Sequence, residues 1–489
     1  MYTYYDSRNA GKAGESQNAE HDLLQIWRRA WWSQGFKPVV LGKAEAAKHP
    51  LYKRVQGLNL KPELSFEMMR WLAWDVMGSG ILCNWLAVPM AHYDDPTITL
   101  LRSGNYPPLT RFKTLENGVF AGRKDTIHKA LTAAIDSSNL GKASSLLDAI
   151  PSDSFNIEAE SAGIAYYNNE AIKQNYPLID SKLQAESTRA DGFAMLPPLI
   201  NSHLHQTWQN HFSSGIAVLK PMAQNTTSMI EPAIDIATNL TQCAYTPIST
   251  SCPPNRPKCK VCVSSQPLSI LTPPIFRNTS TTFVIGTVPH PHTLQSLMHT
   301  KDDLDIRYVR RNTTRDAWIM ATTKELLGTG LSSFARLADV KDAIASDYGS
   351  RRSLWLTAES PLLMSSQSDL ESLDWVLGFQ IGRQSMKSGK SETPVPGPER
   401  RPPPPKQEFD GPKPTDGQLK KQRDLIENSK RIVVKGEKGG KKELGKVKEA
   451  IEAWNLADAE VWKFVRAWNA RRTMLRKTWE REESKYLGY

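Results

Sequence analysis

Between Phe66 and Pro96 the chain passes from a helical pattern through a glycine turn into a solidly apolar run, and this order constrains the fold more than any other feature. Met68, Met69, Leu72, Val76 and Met77 recur at helical spacing. Gly78-Ser79-Gly80 follows, and glycine supplies the positive φ that ends a helix. Ile81 to Val88 is then a compact apolar run suited to a central strand covered on both faces. Residues 71–91 are also long enough to cross a bilayer, which takes about twenty apolar residues. Asp75, the glycine turn, Asn84 and Pro89 would all lie inside such a span, where each is costly or disruptive. Helix, turn and buried strand is therefore the reading.

The residues before this stretch repeat the alternation. Tyr2 to Tyr5 is a short β-prone run. Ala19 to Gln34 is amphipathic, with Leu23, Leu24, Ile26, Trp27, Ala30 and Trp31 on one broad face. Gly35 closes it, and Pro38 to Leu41 reads as a buried strand. Asp125 to Ile135 is a further helix with Asp125 as the expected N-cap. Such alternation predicts an α/β domain. Ligands of open α/β sheets bind beyond the carboxyl ends of the strands. Asp6 and Arg8, just past the first strand, are thus candidate binding residues, with a solvated loop as the plain alternative.

Several residues here resemble the DxD sugar-transferase family, which includes fungal Golgi mannosyltransferases and bacterial capsular polysaccharide transferases. In that family a helix carrying an Arg runs into a glycine pair and then a strand ending in Asp-x-Asp. Arg70 matches the helix Arg, and Gly78-Ser79-Gly80 the glycines. Ile81-Leu82-Cys83-Asn84-Trp85 lies where the family has Tyr-x-Asp-x-Asp, and both aspartates are absent. Val88-Pro89-Met90 looks like the segment that follows, and Leu115 to Lys124, with Asn117, is similar to the family's second Asn-bearing strand and turn. The resemblance covers residues 1–135. It implies a nucleotide-diphospho-sugar-transferase-like (GT-A) mixed sheet. Arg70, Cys83, Asn84 and Asn117 would then join Asp6 and Arg8 around a nucleotide sugar. It also implies Mn²⁺ or Mg²⁺, which hard oxygen ligands hold. A thiol and an amide cannot replace carboxylates there, so Asp94 and Asp95 become the candidate metal and catalytic residues. The alternative for Asp94-Asp95-Pro96 is a plain turn.

The rest of the 489 residues divides by composition. The divisions are 1–135 (GT-A-like α/β), 136–265 (an insertion with a cysteine cluster), 266–390 (a second α/β portion), 391–416 (a Pro-rich linker) and 417–489 (a basic helical tail). From Lys420 to Tyr489 there are 19 Lys/Arg against 11 Asp/Glu, so the tail holds most of the net charge of +11. The remainder is nearly balanced, which excludes a globally basic, nucleic-acid-coating protein and leaves the tail free to meet an acidic partner or a membrane surface. The tryptophans of the tail favour docking onto the body. Pro402-x-x-Pro405 reads as a stiff spacer or a peptide ligand.

His203, His205 and His211 form a cluster without the i, i+4 spacing of a helical metal site, which points to structural or acid–base histidines. Cys243, Cys252, Cys259 and Cys262 allow a zinc site or two disulfides with three pairings. Sequons at Asn225, Asn239, Asn278 and Asn312 surround them. Together these predict a secretory-pathway protein with disulfides, which the resemblance narrows to the Golgi lumen; the alternative is a cytoplasmic protein. In the second α/β portion, strands are expected at Thr282 to Val288, Ile306 to Arg311 and Leu354 to Ala358, with helices at Asp316 to Leu327 and Leu331 to Ser346. The resemblance implies an acidic residue late in the domain that touches the acceptor; Glu359, Asp369 and Asp374 are the candidates, with ordinary surface charge as the plain alternative. Two functions follow. One is a glycosyltransferase moving a hexose from a nucleotide sugar to a glycan or protein. The other is a non-catalytic interaction or scaffold protein on the same fold.

Overall fold

The computed structural model of the chain describes residues 1–6, 15–159, 161–219, 227–272, 279–288, 353–357, 362, 366–382, 417, 420 and 474–481. Arg8, Glu359, the sequons at Asn225, Asn278 and Asn312, the Pro-rich linker and most of the tail lie outside these residues. So do the elements expected between Ile306 and Ser346.

The N-terminal alternation becomes a mixed α/β layer. Strands β1 (Tyr2–Tyr4), β2 (Val39–Leu41), β3 (Gly80–Cys83), β5 (Leu109–Phe112), β6 (Val119–Gly122) and β7 (Asn156–Glu158) form one sheet in the order β2-β1-β3-β6-β5-β7. β1 is parallel to β2 and β3. β6 is antiparallel to β3 and β5, and β7 is parallel to β5. β7 comes from residues expected to belong to the insertion. Those residues also supply β8 (Ile164–Tyr166), α7 (Asn169–Asn175) and α8 (Pro177–Gln184).

The apolar run Ile81 to Val88 is not one strand. Asn84 turns the chain: its side-chain oxygen accepts from Leu86 N at 2.9 Å, and its carbonyl from Ala87 N at 2.9 Å. Residues beyond it form β4 (Ala87–Pro89), which leaves the sheet and pairs antiparallel with β8. The glycine turn behaves as expected, with φ of 89° at Gly78 and 151° at Gly80.

Helix α1 (Glu15–Ser33) covers one face of the sheet, and α4 (Pro62–Met77) with α6 (Lys124–Asp136) the other. Strand periodicity sets this up: Ile81 and Cys83 pack into the α1 side and Leu82 into the α4 side. The N-cap of α6 is Arg123; Asp125 lies in the first turn instead, where a carboxylate still complements the helix dipole. Two short helices, α2 (Lys43–Ala47) and α3 (Tyr52–Gln56), connect β2 to α4, and α5 (Pro96–Ser103) follows β4.

A second sheet is wholly parallel: β9 (Ile216–Leu219), β10 (Ile270–Leu271), β11 (Phe283–Val288) and β12 (Ser353–Thr357), in the order β10-β9-β11-β12. It is joined by α9 (Arg189–His211), α10 (Thr227–Thr241) and α11 (Gln367–Leu377). One continuous apolar core runs from β3 and β6 through α1 and α9 to β9, β11 and β12. Trp27 and Trp31 of α1 are fully buried in it. At roughly 25 cal/mol per Å², each such indole contributes about 4 kcal/mol before entropy is counted. Among the described residues no helix is long and apolar enough to cross a membrane.

The cysteines form nested disulfides, Cys243–Cys262 and Cys252–Cys259. With all four sulfurs in S–S bonds, the zinc alternative is overturned. The crosslinked loop is pinned to α9: His203 bonds Ser251 Oγ at 2.9 Å and Tyr167 at 2.7 Å. His205 Nε2 donates to Leu240 O at 3.0 Å. Burial pushes both imidazoles down to about 4, so they are neutral structural pins. Asn239 is 5% exposed within α10, which withholds that sequon from glycosylation of the folded chain. The helical segment 474–481 docks through Trp479, 2% exposed, which stacks on Trp32 at 5.7 Å and lies under Arg28 at 4.4 Å.

Candidate functional site

The sheet has a topological switch at β1. The chain leaves β1 over the α1 face to β2, then returns over the opposite face through α4 to β3 on the other side of β1. A crevice opens at such a point, outside the carboxyl ends of the two central strands. Tyr5 and Asp6 follow β1 there, and Asn84 and Trp85 follow β3. The Trp85 ring is half-buried and meets Tyr5 edge-on at 6.4 Å. The Tyr5 hydroxyl donates to Glu20 at 2.9 Å.

Beside the end of β3, the predicted residues Arg70, Asn84 and Asn117 come together with two others, Glu67 and Tyr166. Arg70 is 5% exposed, and its guanidinium donates to Asn117 O at 2.8 Å and Gly118 O at 3.5 Å. Burial lowers its pKa, because the charge has left water. Tyr166 OH donates to Asn117 Oδ1 at 3.2 Å and receives Asn84 Nδ2 at 3.3 Å. Asn117 Nδ2 reaches Glu67 Oε1 at 3.1 Å. Burial raises the Tyr166 hydroxyl to about 12, so it is a neutral donor. Tyr166 enters from β8, over 80 residues beyond β3, so no local pattern could have singled it out. Glu67 lies one helical turn from Arg70, and that spacing was the available signal.

The carboxylate pair expected for a divalent metal does not fit one. Cys83 is buried, and burial pushes its thiol up to about 12, so it offers no thiolate. Asn84 carries no charge, and its oxygen is committed to Leu86 N. Asp95 is the N-cap of α5: its side chain accepts from Thr97 N and Ile98 N. Asp94 is half exposed and faces His92 at 3.4 Å. Asp369 lies in the first turn of α11, and Asp374 is buried, receiving Ile381 N at 3.0 Å beside Arg29 at 3.7 Å.

A second cluster was not anticipated. His49 Nε2 and His128 Nδ1 each lie 2.7 Å from Asp75 Oδ2. The three atoms fall within 4.8 Å of one another, a two-imidazole, one-carboxylate set that could hold a metal ion. Leu51 N donates to His49 Nδ1 at 3.0 Å, which places the His49 proton on Nε2, pointing at Asp75. A metal would have to displace that proton and the one His128 shares with the same oxygen. Asp75 Oδ1 is buried without a hydrogen-bond partner among the described residues. The only sequence signal was a charged residue inside an apolar helix. Its partners lie 26 and 53 positions away.

No curated protein and no solved structure matches the chain. A family model described as Domain of unknown function (DUF8765) matches residues 1–489, and the chain therefore belongs to that family.

Proposed function

We propose that the chain is a glycosyltransferase-like protein that holds a nucleotide sugar in the crevice between β1 and β3. The observation that carries this is the switch in strand order at β1, because it places Asp6, Asn84 and Trp85 at one opening. Three further features support the reading. The reversed strand β6 beside β3 matches the mixed sheet that the GT-A resemblance implies. Arg70, Asn84 and Asn117 converge beside the end of β3. Trp85 offers an aromatic face on which a base can stack, worth about 1–3 kcal/mol in comparable sites.

In this reading the chain's own residues bind and orient. Asn84 and Tyr166 present neutral hydrogen-bonding groups, and Arg70 supplies positive charge from behind the Asn117–Gly118 carbonyls. No step is assigned to a metal at the strand end, since the residues there do not suit one. If transfer occurs, it moves a hexose to a glycan or protein acceptor in the secretory pathway. A second reading, binding without transfer, is favoured by the commitment of Asp95 to a helix cap. Calorimetry of the full chain against UDP- and GDP-hexoses, with Mn²⁺ or with EDTA, tests the proposal. Binding that persists in EDTA and weakens at least tenfold in Trp85→Ala supports it. Absence of binding to every sugar nucleotide overturns it, and release of free nucleotide in the presence of acceptor separates the enzyme from the binding module.

A further inference from the structure

The two nested disulfides are seated differently. The outer one, Cys243–Cys262, follows a stretch fixed to α9: Gln209 Nε2 donates to Leu240 O and to Gln242 O, each at 2.9 Å. The inner one, Cys252–Cys259, closes the loop tip that carries Asn255. Its first cysteine is held from α8, where the Tyr176 hydroxyl donates to Cys252 O at 2.7 Å. The tip reaches across to the first layer. Asn255 Nδ2 donates to Ala162 O at 2.6 Å and to Met90 O at 3.3 Å. Met90 follows β4 and Ala162 precedes β8, so one amide clasps both strands of that ribbon at the end where Pro89 faces Ile164. At the other end Tyr166 holds Asn84 and Asn117. Only three residues pair on each strand, so the order of the ribbon depends on how its ends are fastened.

The inner bond also has the surroundings of a bond that can be cut. Gln206 is buried in α9, and its Nε2 donates to Cys259 Sγ. A disulfide sulfur is a weak acceptor, whereas a thiolate accepts such a hydrogen strongly. The donor is therefore preset for Cys259 as the sulfur that leaves. Arg256, Lys258 and Lys260 flank Cys259, and neighbouring cations favour the thiolate. Cys252 and Cys259 are part-exposed, and Pro257, Lys258 and Lys260 are exposed, so a thiol in solution meets this end of the loop.

We propose that Cys252–Cys259 is a reducible switch that sets the order of the β4–β8 ribbon, while Cys243–Cys262 stays closed as its hinge. A dithiol reductant supplies the two electrons. Its first thiolate attacks Cys252 Sγ, the bond between Cys252 and Cys259 breaks, and Cys259 leaves as the thiolate that Gln206 receives. The reductant's second thiolate then attacks the reductant's own sulfur in the mixed disulfide. Cys252 leaves as a thiolate and takes a proton from water, and the reductant departs as a disulfide. With the tip opened, Asn255 is no longer held against the Met90 and Ala162 carbonyls. The switch requires no nucleotide sugar, so it stands apart from the function proposed above.

Titration of the full folded chain with dithiothreitol, followed by alkylation and mass mapping of the cysteines, tests this directly. Cys252 and Cys259 are expected to label first, with Cys243, Cys262 and the buried Cys83 still protected. Hydrogen–deuterium exchange of that reduced chain, with no ligand present, should quicken several-fold at residues 90–91 and 163–165 and stay unchanged in β9 and β11. The double variant Cys252→Ser/Cys259→Ser and the single variant Asn255→Ala should each reproduce that pattern without reductant. Gln206→Leu should slow reduction of the inner bond several-fold, whereas loss of a merely structural contact would loosen the loop and speed it. Opening of the outer bond first or together with the inner one, labelling only once the chain unfolds, exchange at the ribbon unchanged by reduction or by Asn255→Ala, or reduction of Gln206→Leu as fast as that of the parent would each overturn the proposal.

Discussion

Arg70 and Asp75 lie five residues apart on α4, and each anchors a polar cluster of opposite construction. At about 100° per residue they face directions some 140° apart, one towards the loop before β6, the other towards α2 and α6. The Arg70 cluster surrounds a buried cation with backbone carbonyls, amides and a neutral phenol, with the Glu67 carboxylate one hydrogen bond further out on Asn117. The Asp75 cluster surrounds a buried carboxylate with two imidazoles, one of them more than half exposed. A charge whose direct contacts are neutral dipoles keeps more of its field for a ligand, even with Glu67 one hydrogen bond away. A charge held by titratable partners shares it with them. The comparison therefore sets the proposed ligand binding on the Arg70 side against a fastening of α4, α6 and the turn after α2 on the Asp75 side.

The largest expected effect is at Arg70. Arg70→Leu strips two carbonyls of their donor and the guanidinium of its place over Phe120, and should cost about 3–4 kcal/mol by denaturant unfolding, with nucleotide-sugar binding lost. A loss under about 1 kcal/mol would mean that the cation is not integral to the cluster.

Acid sensitivity comes next, and it should arise on α9. His203 and His205 are held near 4 in the folded chain, against an ordinary value of 6.5. The unfolded chain takes up those protons first. Their contribution is complete above pH 6.5 and is lost as pH falls towards 4, on the order of 3 kcal/mol per imidazole. His205→Gln keeps a donor for Leu240 O and should flatten the pH dependence of the unfolding midpoint in that window. An unchanged slope would move the acid-sensitive group elsewhere.

Asp75→Asn places an amide donor or a weaker acceptor before two N–H groups and should cost about 2 kcal/mol, whereas His128→Ala, at an exposed ring, should cost about 1 kcal/mol or less. Equal losses would indicate that the cluster acts as one unit, as a metal site would. The smallest contrast separates the adjacent acids: Asp95→Ala removes an N-cap, about 1 kcal/mol, while Asp94→Ala should fall within about 0.5 kcal/mol of the parent.

Much of the first layer was legible because its signals are local. The Met68 to Met77 stripe, the two glycines and the Tyr2 to Tyr5 run each fix their own conformation. Residues Arg70, Asn84 and Asn117 could be grouped because each matches a segment of the sugar-transferase family that the sequence resembles. The split of Ile81 to Val88 was not legible, since an apolar run looks alike on one strand or two, and only the side-chain turn at Asn84 divides it. His49, Asp75 and His128 were hidden for a different reason: their contact depends on how two helices pack against the turn after α2, and no sequence period records that. The pairing of the four cysteines was equally non-local; the loop closes on α9 through His203 and Tyr167, which lie 40 to 95 positions from the sulfurs.

The central claim is the location of the ligand. Hydrogen–deuterium exchange of the full chain, with and without saturating UDP- or GDP-hexose, tests it most directly. The account predicts slowed exchange of the amides near Tyr5 and Asp6, at residues 84–86 and at residues 116–118, with those around His49 and His128 unchanged. Protection confined to the α2, α4 and α6 side, or none anywhere with bound nucleotide sugar, would contradict it.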